Sequence, residues 1–129
     1  MTTDLWMLVW TAVLCLLLTV PYGTGRILAP GGNEWGFGNR ETPIEAPPWV
    51  GRAVRAHLNL VENLPPFAIL VLVAHVSGHA NATTALGATI FFWARVAHAA
   101  TYIAGIIYAR TAVFFLGVIG ELMILRQLF

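Results

Sequence analysis

The chain has 129 residues, of which 58% are hydrophobic and only 13 charged, seven Arg and six Asp or Glu with no Lys, for a net charge of +1. Its mean hydropathy is +0.75. These values exclude a disordered chain, a nucleic-acid-binding tail and an ordinary soluble domain, which would carry about 25% charged residues. The length allows one domain, and the single cysteine, Cys15, excludes an intrachain disulfide.

In chain order, residues 5–22 are apolar except for two Thr, enough for about 27 Å of helix and one membrane crossing. A cleaved signal peptide fits poorly, because residues 1–4 are acidic rather than basic and PYGTG is a weak cleavage site. Residues 23–48 concentrate Gly, Pro, Arg26, Glu34, Arg40, Glu41 and Glu45 without a helical period and read as one long loop. A second span is expected over 49–76, with a bend at Pro65 and Pro66. SGHANATT at 77–84 supplies the turn. A third span is expected over 84–108 and a short fourth over 110–126, joined by a tight hairpin.

Threading four spans puts Arg26, Arg40, Arg52, Arg55 and Arg110 on one side and Arg126 alone on the other. The positive-inside rule then predicts both termini outside the cytoplasm, in a plasma (inner) membrane. Asn81-Ala82-Thr83 is a glycosylation sequon. Trp6, Trp10, Trp35, Trp49 and Trp93 mostly fall near expected span ends, where aromatic rings anchor helices at the interface.

Ionisable groups inside apolar spans are the functional signal, since each costs about 2.5–3.5 kcal/mol at a helix centre. At about 100° per residue, Arg52, Arg55, Asn59, Glu62 and Asn63 share a face roughly 100° wide, with His57 opposite. Arg95, His98 and Tyr102 form a second stripe, and Arg110 and Glu121 fall within about 20° of each other, with Gly117 between them on that face. The structural reading pairs Glu62 and Glu121 with Arg55 and Arg95 in an ion-pair network that only holds the bundle together. The functional reading favours a cytoplasm-facing cleft in which Arg52, Arg55, Arg95 and Arg110 bind carboxylates through bidentate forks while Glu62 and Asn59 accept from an ammonium group. His75 and His79 are four apart, but no carboxylate or cysteine is near in sequence, so no metal site is expected. No P-loop, HExxH or dinucleotide fingerprint is present.

The run Gly51-Arg52-Ala-Val-Arg55-Ala56-His57-Leu-Asn59-Leu-Val-Glu62-Asn63-Leu-Pro65 resembles the second-helix signature of the MAPEG family, the membrane-associated proteins in eicosanoid and glutathione metabolism. Trp93-Ala-Arg95-Val-Ala-His98-Ala-Ala-Thr-Tyr102 is similar to the family's third helix, and Gly38-Asn39-Arg40-Glu41-Thr-Pro43 to the loop before helix two in its bacterial branch. The resemblance implies an all-α, integral-membrane four-helix bundle, assembled as a homotrimer with glutathione as co-substrate between neighbouring subunits. It implies a transferase or peroxidase acting on lipophilic small molecules delivered from the membrane lipid; the net charge of +1 already argues against a nucleic-acid partner. By position, Asn59 and Glu62 would hold the polar end of glutathione, and His98 and Tyr102 would line the pocket. Arg52, Arg55 and Arg95 would supply charge to its carboxylates, and Arg110 with Thr111 would stabilise the thiolate. Gly51, Leu58 and Leu60 depart from the eicosanoid enzymes of the family and argue against specialised prostaglandin or leukotriene synthesis. The alternative, from a different functional class, is a non-catalytic membrane protein that binds a lipid or anionic ligand in the same cleft.

Overall fold

Prolines and glycines punctuate an otherwise continuous helical chain. The computed structural model describes residues 1–129 and contains α1 (Thr3–Leu17), α2 (Thr19–Ile27), α3 (Gly32–Phe37), α4 (Pro48–Val76), α5 (Ala82–Ala104) and α6 (Ile107–Arg126), with no strand. α1 and α2 form one apolar segment interrupted at Leu18. Pro21 has no amide to offer the carbonyl of Leu17, which explains a break one turn earlier. α4 begins with Pro48 in its first turn, where a missing N–H does no harm. It then runs unbroken through Pro65 and Pro66, which leave the carbonyls of Val61 and Glu62 without their i+4 amides.

Two expected boundaries move. The stretch 23–48 is not a loop throughout: it contains the end of α2 and the short α3. The third helix stops at Ala104 rather than at 108, because Gly105 adopts φ 82, a conformation without penalty only for glycine. The amides of Gly105 and Ile106 return to the carbonyls of Tyr102 and Thr101, a Schellman stop. Tyr108 therefore belongs to α6.

The long segments alternate in direction. At one end Asp4 meets His75 at 2.9 Å and Thr84 at 3.2 Å, and Asn81 donates to Gln127; at the other, Arg52 donates to the carbonyl of Ile103. α5 is the centre of the bundle and touches α1, α4 and α6, whereas α1 and α6 do not touch. Phe67, Val71, Ala74, Ala88, Phe91 and Ile124 form the core, with the rings of Phe67 and Phe91 stacked at 3.9 Å. α5 and α6 approach closely where Gly87 faces Gly120: a β-carbon on Gly120 would lie 2.5 Å from the carbonyl oxygen of Gly87.

Three helices, Thr3–Ile27, Pro48–Val76 and Ile107–Arg126, are long and apolar enough to cross a membrane. Their exposed surfaces carry large apolar side chains such as Leu16, Leu17, Ile69, Leu72, Phe115 and Leu122, as contact with acyl chains requires. α5 is long enough, about 35 Å at helical rise, but carries Arg95, His98 and four Thr. Its central position explains that composition, since its neighbours cover Thr84, Arg95 and His98. Trp93 sits mid-helix on α5 and is 62% exposed.

Candidate functional site

α4 packs through Val50, Ala53, Ala56, Leu60, Phe67, Val71 and Ala74, a helical stripe of small and branched residues facing the core. Its polar face is thereby turned outward, where Arg55 and Glu62 are exposed and Arg52, Asn59 and Asn63 are half-buried. Arg52 Nε donates to the carbonyl oxygen of Ile103 at 2.8 Å. Arg52 thus caps the C-terminus of α5, where a cation also meets the negative end of the helix dipole. Asn63 Nδ2 donates to the Asn59 carbonyl at 2.7 Å. His57 lies on the other side of α4, as its angle predicts: Nδ1 is 3.1 Å from the Tyr22 hydroxyl and Nε2 is 3.6 Å from Cys15 Sγ.

The second stripe is buried between α4, α5 and α6. Arg95, 2% exposed, donates from Nη1 to Asn59 Oδ1 at 3.1 Å and reaches the Phe114 carbonyl at 3.5 Å. Its guanidinium lies between the rings of Phe91 and Phe114, at 4.8 and 5.1 Å from their centroids. Gly117 makes the space, since a β-carbon there would fall 2.5 Å from Arg95 Nη2. His98 is buried edge-to-face against Tyr102, with centroids 5.4 Å apart. Arg110, in the first turn of α6, lies over the Tyr102 ring at 4.4 Å from its centroid. Arg95, Phe114, His98, Tyr102 and Arg110 thus form a continuous cation–aromatic chain that ends at the N-terminus of α6.

The expected ion-pair network makes no direct salt bridge: Glu121 acts on Arg95 electrostatically without touching it, and Glu62 has no partner. No Arg lies within 4 Å of a carboxylate, and the one ion pair in the chain is His75 with Asp4. Arg95 Nε and Glu121 Oε1 are buried without a hydrogen-bond partner. Pairing fails because Arg95 is turned toward Asn59 and the rings, while Arg55 and Glu62 point away from the bundle. His75 does have a carboxylate nearby, contrary to the sequence expectation, but no group of three ligands capable of holding a metal exists. The sequence contained a signal for this contact, since two crossings return the chain to the side on which Asp4 begins. Asn81 is occupied as the N-cap of α5: its side-chain oxygen accepts from the amides of Thr83 and Thr84.

The site residues fall into two sets joined by the Asn59–Arg95 bond. Arg55 and Glu62 are on the outer face of α4, and Arg95, His98, Tyr102 and Arg110 line the α5–α6 seam. Thr111 is exposed, and its hydroxyl donates to the Ile107 carbonyl at 3.3 Å. Sequence reasoning left Arg26 in the loop, yet it joins Arg55, Gly51 and Trp35 around a cavity of about 390 Å³ beside the first turns of α4. Only the fold of α3 over that end brings them together. A model of the MAPEG family matches residues 4–129 of the chain. No curated protein matches it.

Proposed function

The chain belongs to the MAPEG family, and from that premise we propose a glutathione-dependent transferase or peroxidase that acts on lipophilic electrophiles. In this reading α5 is the fourth crossing, three copies assemble around the charged face of α4, both termini lie outside the cytoplasm, and glutathione binds between neighbouring copies. The observation that carries it is Glu62. This carboxylate sits fourteen residues from either end of α4, exposed and without a partner in its own chain. The carbonyls of Val61 and Glu62, which Pro65 and Pro66 deprive of their i+4 amides, lie beside it, and the equally unpartnered Arg55 is two turns away. Lipid cannot satisfy such groups, which cost several kcal/mol each when left unmade in hydrocarbon. A zwitterionic peptide and a neighbouring subunit can: Glu62 and the two carbonyls accept from an ammonium group, and Arg55 receives a carboxylate as a bidentate fork.

The chemistry falls to Arg110. Its guanidinium and the N-terminal amides of α6 place positive charge together, which favours a thiolate over a thiol. Tyr102 holds the guanidinium by its ring, and the buried Arg95 and His98 hold Tyr102 and Asn59 in place. The sulfur lone pair forms the new bond to an electrophilic carbon as its leaving group departs with the bonding pair, or to the terminal peroxide oxygen as the O–O bond breaks and the alkoxide leaves to take a proton from water; a second glutathione then reduces the resulting sulfenic acid, giving the disulfide and water. The test is calorimetric binding of glutathione to the purified protein in detergent, followed by conjugation of a lipophilic chloronitrobenzene or reduction of a lipid hydroperoxide. Arg110→Ala should bind glutathione and lose turnover; unchanged turnover removes Arg110 from the role.

One observation favours a second reading. The Thr111 hydroxyl is already spent on Ile107 and is not free to donate to sulfur, as a non-catalytic protein binding a lipid or anion in the same cleft would allow. No glutathione binding, together with a copurifying anion or lipid, would support it.

A further inference from the structure

We propose that the cavity enclosed by Arg26, Arg40 and Trp35, at the end of the first apolar segment, holds the phosphate-bearing headgroup of an anionic phospholipid. The cavity has a volume of about 250 Å³ and is completed by Tyr22, Ile27 and Phe37. Arg26 lies in the last turn of α2, where the segment Thr3–Ile27 ends, the level at which headgroups meet aromatic and basic anchors. α3 folds back over this end so that the Trp35 ring lies 5.4 Å from the Arg26 guanidinium and 5.3 Å from that of Arg40. Trp35 Nε1 is tied to the Thr42 carbonyl at 2.6 Å, which fixes the ring that both cations meet.

Both cations lack a counter-ion. Neither is within 4 Å of a carboxylate, and Glu34, Glu41 and Glu45 do not line the cavity. Arg40 spends Nε and Nη2 on the Gly36 carbonyl and keeps Nη1 free, while Arg26 makes ring contacts only, with Tyr22 at 5.2 Å and with Trp35. Arg40 is also the one non-glycine residue with positive φ, at 58°; this disfavoured conformation carries the side chain back over Trp35. Two guanidinium groups lining one cavity, each with unspent donors, match the oxygens of a phosphodiester.

The surroundings select the source of the phosphate. Phe37 is 90% and Leu28 79% exposed on the same end of the fold, which suits acyl chains rather than water. A zwitterionic headgroup would bring its ammonium to a cavity that already holds two cations, and the faces of Tyr22 and Trp35 that would receive it are covered by arginine. A net anionic lipid meets neither obstacle.

The experiment uses the full-length protein in detergent micelles doped with phosphatidylglycerol or phosphatidylcholine, read by native mass spectrometry for retained lipid and by thermal unfolding. Phosphatidylglycerol should be retained and raise the unfolding temperature, and phosphatidylcholine should do neither. Arg26→Gln with Arg40→Gln should weaken retention by about tenfold or more, as expected for loss of charge-assisted contacts. Should that double variant fail to fold, Arg40→Gln alone, at an exposed position, should still weaken retention, and Arg40→Lys should restore part of it. Equal retention of the two lipids, or retention unchanged in Arg40→Gln, overturns the proposal. An equal stabilisation by inorganic phosphate without lipid would assign the site to a soluble anion and overturn the lipid assignment.

Discussion

Replacing Asn59 by Ala tests whether one neutral side chain satisfies the most deeply buried cation of the bundle. Arg95 is 2% exposed, its best hydrogen bond is the 3.1 Å contact to Asn59 Oδ1, and its other acceptor, the Phe114 carbonyl, is already at 3.5 Å. No carboxylate is within 4 Å to take over. A hydrogen bond from a charged donor contributes about 1.5–3 kcal/mol, and a buried donor left without one bears the desolvation penalty. For a chain of this length 1 kcal/mol moves the unfolding midpoint by about 3–5 °C, so the expected loss is roughly 5–15 °C. Asn59→Asp supplies a counter-ion at the same place and should lose much less, or gain. Thermal unfolding by circular dichroism in one detergent measures all three proteins, and glutathione calorimetry on each separates loss of the fold from loss of the ligand. A midpoint for Asn59→Ala within about a degree of the parent, well below the range expected from a lost charged hydrogen bond, would refute the account of how Arg95 is stabilised.

Other outcomes follow from the same contacts. Gly120→Ala forces a β-carbon to 2.5 Å from the Gly87 carbonyl oxygen, a backbone atom that cannot swing aside, so overpacking of about 1–3 kcal/mol should outweigh the helix propensity gained; a midpoint equal to or above the parent's would contradict the close α5–α6 approach. Asp4→Ala removes the acceptor shared by His75, Thr84 and the Leu5 amide and should destabilise by about 1–3 kcal/mol, seen as faster amide exchange where α1, α4 and α5 meet. Gly105→Ala places a side chain at φ 82 and should cost about 1–2 kcal/mol; the same unfolding assay reads it.

The polar face of α4 was legible from spacing alone, because helical geometry dictates which residues of one helix share a side before any neighbour is known. The outward turn of that face was not legible, since it depends on Ala53, Ala56 and Leu60 finding α1 and α5. The same limit applied to partners. Arg52 read as a ligand for a carboxylate, and in the fold its Nε also caps the last turn of α5; Glu62 and Glu121 read as counter-ions, and Glu121 acts on Arg95 only through space, without a contact within 4 Å.

By itself the sequence determined an all-helical membrane protein, the approximate extent of its apolar segments and the residue types available for an anionic ligand. Those properties follow from hydropathy, proline and glycine placement and the period of the helix, all of which act within about thirty residues of chain. The tertiary structure decided that α5 is the shielded centre, that Arg95 rests on Asn59 and two rings above Gly117, and that α3 brings Arg26 and Arg40 to one tryptophan. It could do so because the rotation of each helix about its axis is set by how its small and large residues interlock with the next, and no single segment contains both halves of that fit.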